Sequence, residues 1–242
     1  MHRMHNGVRA LCALTFLGGT SAALAGPIYT GINPPPGGEL GHQAILQNIY
    51  GGAWSVSGVR DFSNGSISAI RVADAGVGGI LPVLTGSAGA NEDQRWSGGT
   101  VTVTAKAKYA GDSHVFGWID DASENPVFQP LISTNDFNNP VVVSLSPSFR
   151  WALDDISIDR LWTSFPGDNL NDSDQSIDML TTYEITGSAN PGKTWLIFWE
   201  DRINGDFDYN DAVIEINAVP APGAAALMGL AGIAAGRRRK RD

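Results

Sequence analysis

Glu200, Asp201, Asp206, Asp208, Asn210 and Asp211 place six oxygen-bearing side chains within twelve residues. Carboxylates and a carboxamide at that density suit a hard cation such as calcium, which takes about six to eight oxygen ligands. If the backbone there is extended, Asp206, Asp208 and Asn210 share one side, and Phe207 and Tyr209 the other. The order Asp-x-Asp-x-Asn begins like a helix-loop-helix calcium loop. Its sixth place, however, is Asp211 instead of glycine, and its twelfth is Asn217 instead of glutamate. A calcium site here is expected in a loop between strands. A plain turn competes with that reading, because Asp and Asn are ordinary turn formers and Arg202 can neutralise a carboxylate.

Catalytic chemistry has weaker candidates. Outside the first 25 residues the chain has two histidines, His42 and His114. His42 is expected on the surface of a helix, and His114 at the start of a strand. No Gly-x-Ser-x-Gly elbow and no His-x-x-x-His pair occurs. Adjacent acids such as Asp120-Asp121 and Asp154-Asp155 could serve glycoside cleavage only if two carboxyls faced each other across a cleft. Trp54, Trp96, Trp118, Trp151, Trp162, Trp195 and Trp199 could stack on sugars, but in a β-rich protein they are expected in the core. Cys12 is the single cysteine and falls in the N-terminal leader, so disulfides and thiolate chemistry are excluded from the body. The catalytic set is therefore expected to be empty.

Strands must hold the acidic segment. Thr194–Trp199 is an apolar run before it and Ala212–Ile216 one after it. Gly99–Tyr109 alternates cleanly, with Val101, Val103, Ala105 and Ala107 on one face and Thr102, Thr104, Lys106 and Lys108 on the other. Ala110-Gly111-Asp112 suggests a hairpin into His114–Ile119. Further strands are expected at Ala53–Val59, Ile67–Val72, Val141–Leu145, Phe149–Leu153 and Met179–Thr186. Glu39–Tyr50 reads as a short amphipathic helix stopped by Gly51-Gly52. Ala75–Ala90 is a glycine-rich connection without the ending of a phosphate loop, and Pro166–Asp178 is a long acidic loop. About ten short strands and one helix predict a mainly β fold, an antiparallel sandwich of jelly-roll type.

The ends of the chain differ from the body. Arg3 and Arg9, the apolar Leu11–Leu17 and Ala23-Leu24-Ala25 follow the order of a secretory signal peptide cut after Ala25. Residues 26–38, with Pro34-Pro35-Pro36, read as an extended arm, and residues 39–218 as the sandwich domain. After Val219-Pro220-Ala221-Pro222 comes an uncharged stretch, Ala224–Gly236, expected to form a membrane-spanning helix. Arg237, Arg238, Arg239, Lys240 and Arg241 follow and would stay on the cytoplasmic side. With the leader and residues 219–242 set aside, nine basic residues face 24 acidic ones. Such a body repels nucleic acid and anionic surfaces and favours cationic partners.

Residues 219–242 resemble the PEP-CTERM sorting signal of exported bacterial proteins. The proline motif, short apolar helix and arginine cluster come in that order, with Ala221 where the motif has glutamate. Trp199-Glu200-Asp201 and Asp206–Asp211, with Thr182-Tyr183-Glu184, are similar to the acidic D-x-D-Y-N-D segment of a bacterial domain family of unknown function. The first resemblance implies handling by signal peptidase and by an exosortase-like membrane protease, passage through the inner membrane, and a surface or extracellular-matrix location. The second implies a β-rich extracellular domain. The expectation is a non-enzymatic structural or interaction protein, with a matrix carbohydrate-binding module as the alternative and extracellular polysaccharide as a partner.

Overall fold

The computed structural model describes residues 27–74, 92–121 and 123–219. The segments expected to form a signal peptide, a glycine-rich connection, and the apolar helix and arginine cluster of a sorting tail lie outside these residues. Among the described residues no helix is long and apolar enough to cross a membrane.

The elements in chain order are α1 (His42–Tyr50), β1 (Ser55–Ser57), β2 (Asp61–Ser63), β3 (Ser68–Arg71), β4 (Thr100–Ala107), β5 (His114–Asp120), β6 (Phe128–Ser133), β7 (Val141–Ser144), β8 (Phe149–Asp155), β9 (Arg160–Thr163), β10 (Leu180–Thr186), β11 (Thr194–Trp199) and β12 (Ala212–Ala218). They form two antiparallel sheets. The larger runs β1-β2-β3-β10-β11-β12-β4-β7 and the smaller β6-β5-β8-β9. Among the described residues the fold is mainly β, with two antiparallel sheets and one short α-helix, as the residue pattern predicts for the body of the chain.

β11 explains the layering. All six of its residues, Thr194-Trp195-Leu196-Ile197-Phe198-Trp199, are buried, as expected of a strand covered on both faces. Trp195, Ile197 and Trp199 enter the core between the sheets, beside Val103 of β4, Phe116 of β5 and Trp151 of β8. Leu196 and Phe198 point the other way and meet Ile45 and Leu46 of α1. The helix thus caps the outer face of the large sheet. It ends where Gly51 adopts φ 71° and donates its N–H to the Gln47 carbonyl, a conformation that costs glycine little.

The expected hairpin between Gly99–Tyr109 and His114–Ile119 does not form. β4 pairs with β12 and β7, and β5 with β6 and β8. Their inward residues belong to one core seen from opposite sheets, so the connection at Ala110-Gly111-Asp112 crosses the sandwich. β2, β6 and β9 are strands that the residue pattern does not announce.

Candidate functional site

The acidic segment joins β11 to β12, whose last ladder pair is Trp199 with Ala212. The Asp211 N–H donates to the Trp199 carbonyl at 3.1 Å, and the Asp201 N–H donates to Asp211 Oδ2 at 2.9 Å. The loop is thereby closed at its base. Its middle is not extended. Phe207 and Tyr209 adopt φ of 55° and 57°, so simple alternation fails, and the Tyr209 ring is buried against α1 and β10 residues. Two non-glycine residues in the left-handed region are uncommon and costly.

The six predicted ligands divide into two groups. Ligand atoms of Glu200, Asp201 and Asp211 lie within 4.8 Å of one another. Those of Asp206 and Asp208 lie within the same distance of Glu39, from the arm side of α1. Asn210 donates from Nδ2 to Asp208 Oδ2 at 2.6 Å and to the Leu40 carbonyl at 3.2 Å, while its Oδ1 is buried without a partner. Glu200 is 1% exposed, and its Oε2 also lacks a partner. Gly205 makes room for this carboxylate, since a Cβ there would sit 1.9 Å from Glu200 Oε1. Arg202 does not neutralise the group; it pairs with Asp112.

Crowding raises the carboxyl pKa values. Burial, then the charge of Asp206, lifts Glu200 to about 7. The same causes in the same order lift Asp208 to about 7. Burial, then Asp201 and Glu200, push Asp211 to about 9. Either protons or a bound cation would relieve such a cluster. The oxygen donors present therefore fit calcium.

Next to this loop lies a cleft of about 650 Å³. The arm supplies Tyr29 and Asn33, α1 supplies Gln43 and Gln47, and the strands supply Phe62 and Tyr183; Arg60 and Asp208 complete the rim. The arm is tied down. The Asn33 N–H donates to the Phe207 carbonyl at 3.0 Å, Thr30 N–H donates to Asp74, and the Thr30 hydroxyl donates to Asp178 Oδ2 at 2.9 Å. Beneath it, Arg71 and Asp74 form a buried pair at 3.0 Å. Burial, then the charge of Asp74, raises Asp178 to about 7.

His42 forms the floor, and here the surface expectation is corrected: the side chain is buried. Its Nε2 lies 2.8 Å from the Asp208 carbonyl and its Nδ1 lies 3.0 Å from the Tyr183 hydroxyl. A carbonyl only accepts, so Nε2 carries the proton and Nδ1 accepts from tyrosine. The ring stacks on Phe198 at 4.0 Å. Burial lowers its pKa to about 3, which keeps it neutral.

His114 opens β5 but is also sealed, at 1% exposure. Its Nε2 lies 3.0 Å from Asp201 Oδ2 and 3.7 Å from Asp155 Oδ2. Sequence reasoning linked neither histidine to the acidic loop. Their partners come from strands and loops far along the chain, and no spacing signal reports that. Asp154 and Asp155 do not act as a pair, because neighbours on a strand face opposite ways: Asp155 is buried and Asp154 is half-buried. Six tryptophans are buried and Trp118 packs against the core, so they form no exposed stacking row.

The sequence matches no protein-family model and no curated protein. Two of the solved structures similar to part of the chain are lectins. One is the C-terminal domain of the BC2L-C lectin from Burkholderia cenocepacia, with 14% identity over 54% of this chain and 98% of that one, at a TM-score of 0.33. The other is the Ralstonia solanacearum high-affinity mannose-binding lectin, with 16% identity over 54% of this chain and 99% of that one, also at 0.33.

Proposed function

We propose that the chain is an exported, non-enzymatic protein of the cell surface or extracellular matrix whose cleft beside α1 holds carbohydrate. The observation that carries the carbohydrate reading is the cleft lining. Half-buried rings of Tyr29 and Phe62 stand beside the exposed amide of Gln47 and the guanidinium of Arg60. Sugars present apolar C–H faces to rings and hydroxyls to amides and guanidinium groups. The volume falls in the range of about 300–1,000 Å³ common for small-ligand sites. His42 supports the non-enzymatic part, since both its nitrogens are engaged within the protein.

Export and sorting rest on the two ends of the sequence. The leader delivers the body to signal peptidase, and residues 219–242 hold it at the inner membrane for an exosortase-like protease. Calcium would stabilise the acidic loop outside the cell, where modules bind it at about 10⁻⁴–10⁻³ M.

The test is retention of the full chain on neutral and acidic polysaccharides by affinity electrophoresis. Tyr29→Ala and Gln47→Ala are each expected to weaken retention about tenfold, the scale of one lost stacking or hydrogen-bonding contact. Failure to retain any polysaccharide, or retention by both variants equal to that of the parent chain, overturns the carbohydrate reading.

A further inference from the structure

We propose that His114, Asp155 and Asp201 form a binding site for a zinc-class transition-metal ion that clamps the two sheets together at one end of the sandwich. The site is independent of the cleft and distinct in chemistry from the all-oxygen groups of the acidic loop.

The three residues come from three places. His114 opens β5, and Asp155 lies directly opposite it across the β5–β8 ladder. Asp201 follows β11 of the other sheet. They are 1%, 0% and 5% exposed, and their ligand atoms all lie within 4.8 Å of one another. The Nε2 distances of 3.0 and 3.7 Å to the two carboxylate oxygens bracket the edge of a zinc tetrahedron. With metal–ligand bonds of about 2.0–2.2 Å, that edge is about 3.3–3.6 Å.

The hydrogen bonding also points to a third centre. Although Nε2 and Asp201 Oδ2 are 3.0 Å apart, they do not form a hydrogen bond, and Asp155 Oδ2 has no partner either. Donor and acceptor are close but misaligned, as two ligands are when both face one ion. A buried carboxylate oxygen without a donor is costly. The backbone around the ligands is held in place. Asp155 Oδ1 accepts the Ser157 N–H at 2.9 Å. The Asp201 carbonyl accepts the Trp162 indole N–H at 2.8 Å, and the His114 carbonyl accepts the Thr134 N–H at 3.1 Å. Of the ligand side chains, the Asp155 carboxylate is oriented in this way, while His114 Nδ1 is buried without a partner.

The imidazole decides the class of ion. Calcium and magnesium prefer oxygen alone, whereas imidazole with carboxylates suits zinc, cobalt, nickel and copper. On the solvent side, the exposed Arg202 pairs with Asp112. Its charge also reaches Asp201 and Asp155, but its ion pair is with Asp112 and not with either of them. The competing arrangement is an imidazolium held between two carboxylates with no metal.

The experiment uses the untagged full chain carrying His2→Ala and His5→Ala, so that no other free histidine binds the probe. After chelator treatment, zinc at a hundredfold excess over its Kd is expected to raise the melting midpoint by about 5–10 °C. His114→Gln and Asp155→Asn are each expected to lose that rise, while Glu200→Gln keeps it. Copper(II) bound to this same His2→Ala, His5→Ala chain is expected to show imidazole nitrogen coupling in its electron paramagnetic resonance spectrum. That readout stands even if a variant fails to fold. No midpoint change with zinc, a rise undiminished in His114→Gln, or copper without nitrogen coupling would each overturn the proposal in favour of the metal-free ion pair.

Discussion

The imidazole Nε2 of His42 lies 2.8 Å from the backbone carbonyl of Asp208, 166 residues further along the chain. Through this contact α1 holds the acidic loop in place, and the Tyr183 hydroxyl on Nδ1 anchors the same ring to β10. Substituting His42 by Ala removes two buried hydrogen bonds and the ring stacked on Phe198. The expected loss is about 2–4 kcal/mol, read from urea unfolding. A change below about 0.5 kcal/mol would show that the loop is held by other contacts.

The cluster makes stability depend on pH in a way that bound calcium is expected to oppose. Glu200 and Asp208 titrate near 7 and Asp211 near 9 in the folded chain, all raised by burial and neighbouring carboxylates. Raised carboxyl pKa values contribute stability below the unfolded value of about 4, and that stability is lost as pH climbs through 7 and on to 9. His42 acts oppositely. Its pKa, lowered by burial to about 3 from an ordinary 6.5, contributes stability above 6.5 that is lost as pH falls toward 3. Above pH 6.5 the carboxylates alone govern. The calcium-free chain is therefore expected to melt at lower temperature at pH 9 than at pH 7, and saturating calcium is expected to narrow the difference to the part that comes from carboxyls outside the loop, such as Asp178. Melting curves at the two pH values with calcium or chelator decide it; identical curves would remove calcium from this loop.

Gly205→Ala offers a finer probe of the same loop. The new methyl group would collide with Glu200 Oε1, and its neighbours would have to shift to relieve the contact. Terbium luminescence excited through the nearby Trp199 is expected to weaken by about tenfold in titration, a loss of one carboxylate ligand. Unaltered terbium affinity would mean that Glu200 does not bind the ion.

Phe116 of β5 joins the two sheets. It stacks on Trp151 at 5.0 Å within its own sheet and meets Trp199 of the other edge-on at 6.2 Å. Phe116→Ala is expected to cost about 3–5 kcal/mol. A loss under about 1 kcal/mol in denaturant unfolding would show that the surrounding rings can collapse into the space.

Sorting makes a separate prediction. Removing Arg237–Arg241 is expected to change membrane retention and processing of the chain, because those cations oppose translocation of the tail. Cell fractionation that matches the parent would refute the role given to the tail.

Much of the sandwich is legible from residue patterns. The Val101, Val103 and Ala105 alternation reads directly as a strand with a buried face, and all three are fully buried. The helix stop at Gly51 is equally plain, since a chain that must enter φ 71° favours glycine. Pairing is less legible. Ala110-Gly111-Asp112 has the composition of a hairpin turn, yet β4 and β5 lie in different sheets, because a turn sets local bend and not the partner that best covers a strand's edge. β6 escapes notice because Pro130 interrupts it, which its edge position in the small sheet permits.

Of the candidate site, the chemical types of Glu200, Asp201, Asp206, Asp208, Asn210 and Asp211 follow from the chain alone, as does their place between two apolar strands. Their division into two groups does not, nor do the entry of Glu39 into one of them and of His114 and Asp155 beside Asp201. Composition and local periodicity act over a few residues, where backbone geometry dictates which side chains share a face. Contacts such as His114 with Asp201 depend on how two sheets close over a common core, a long-range packing choice set by many apolar side chains together.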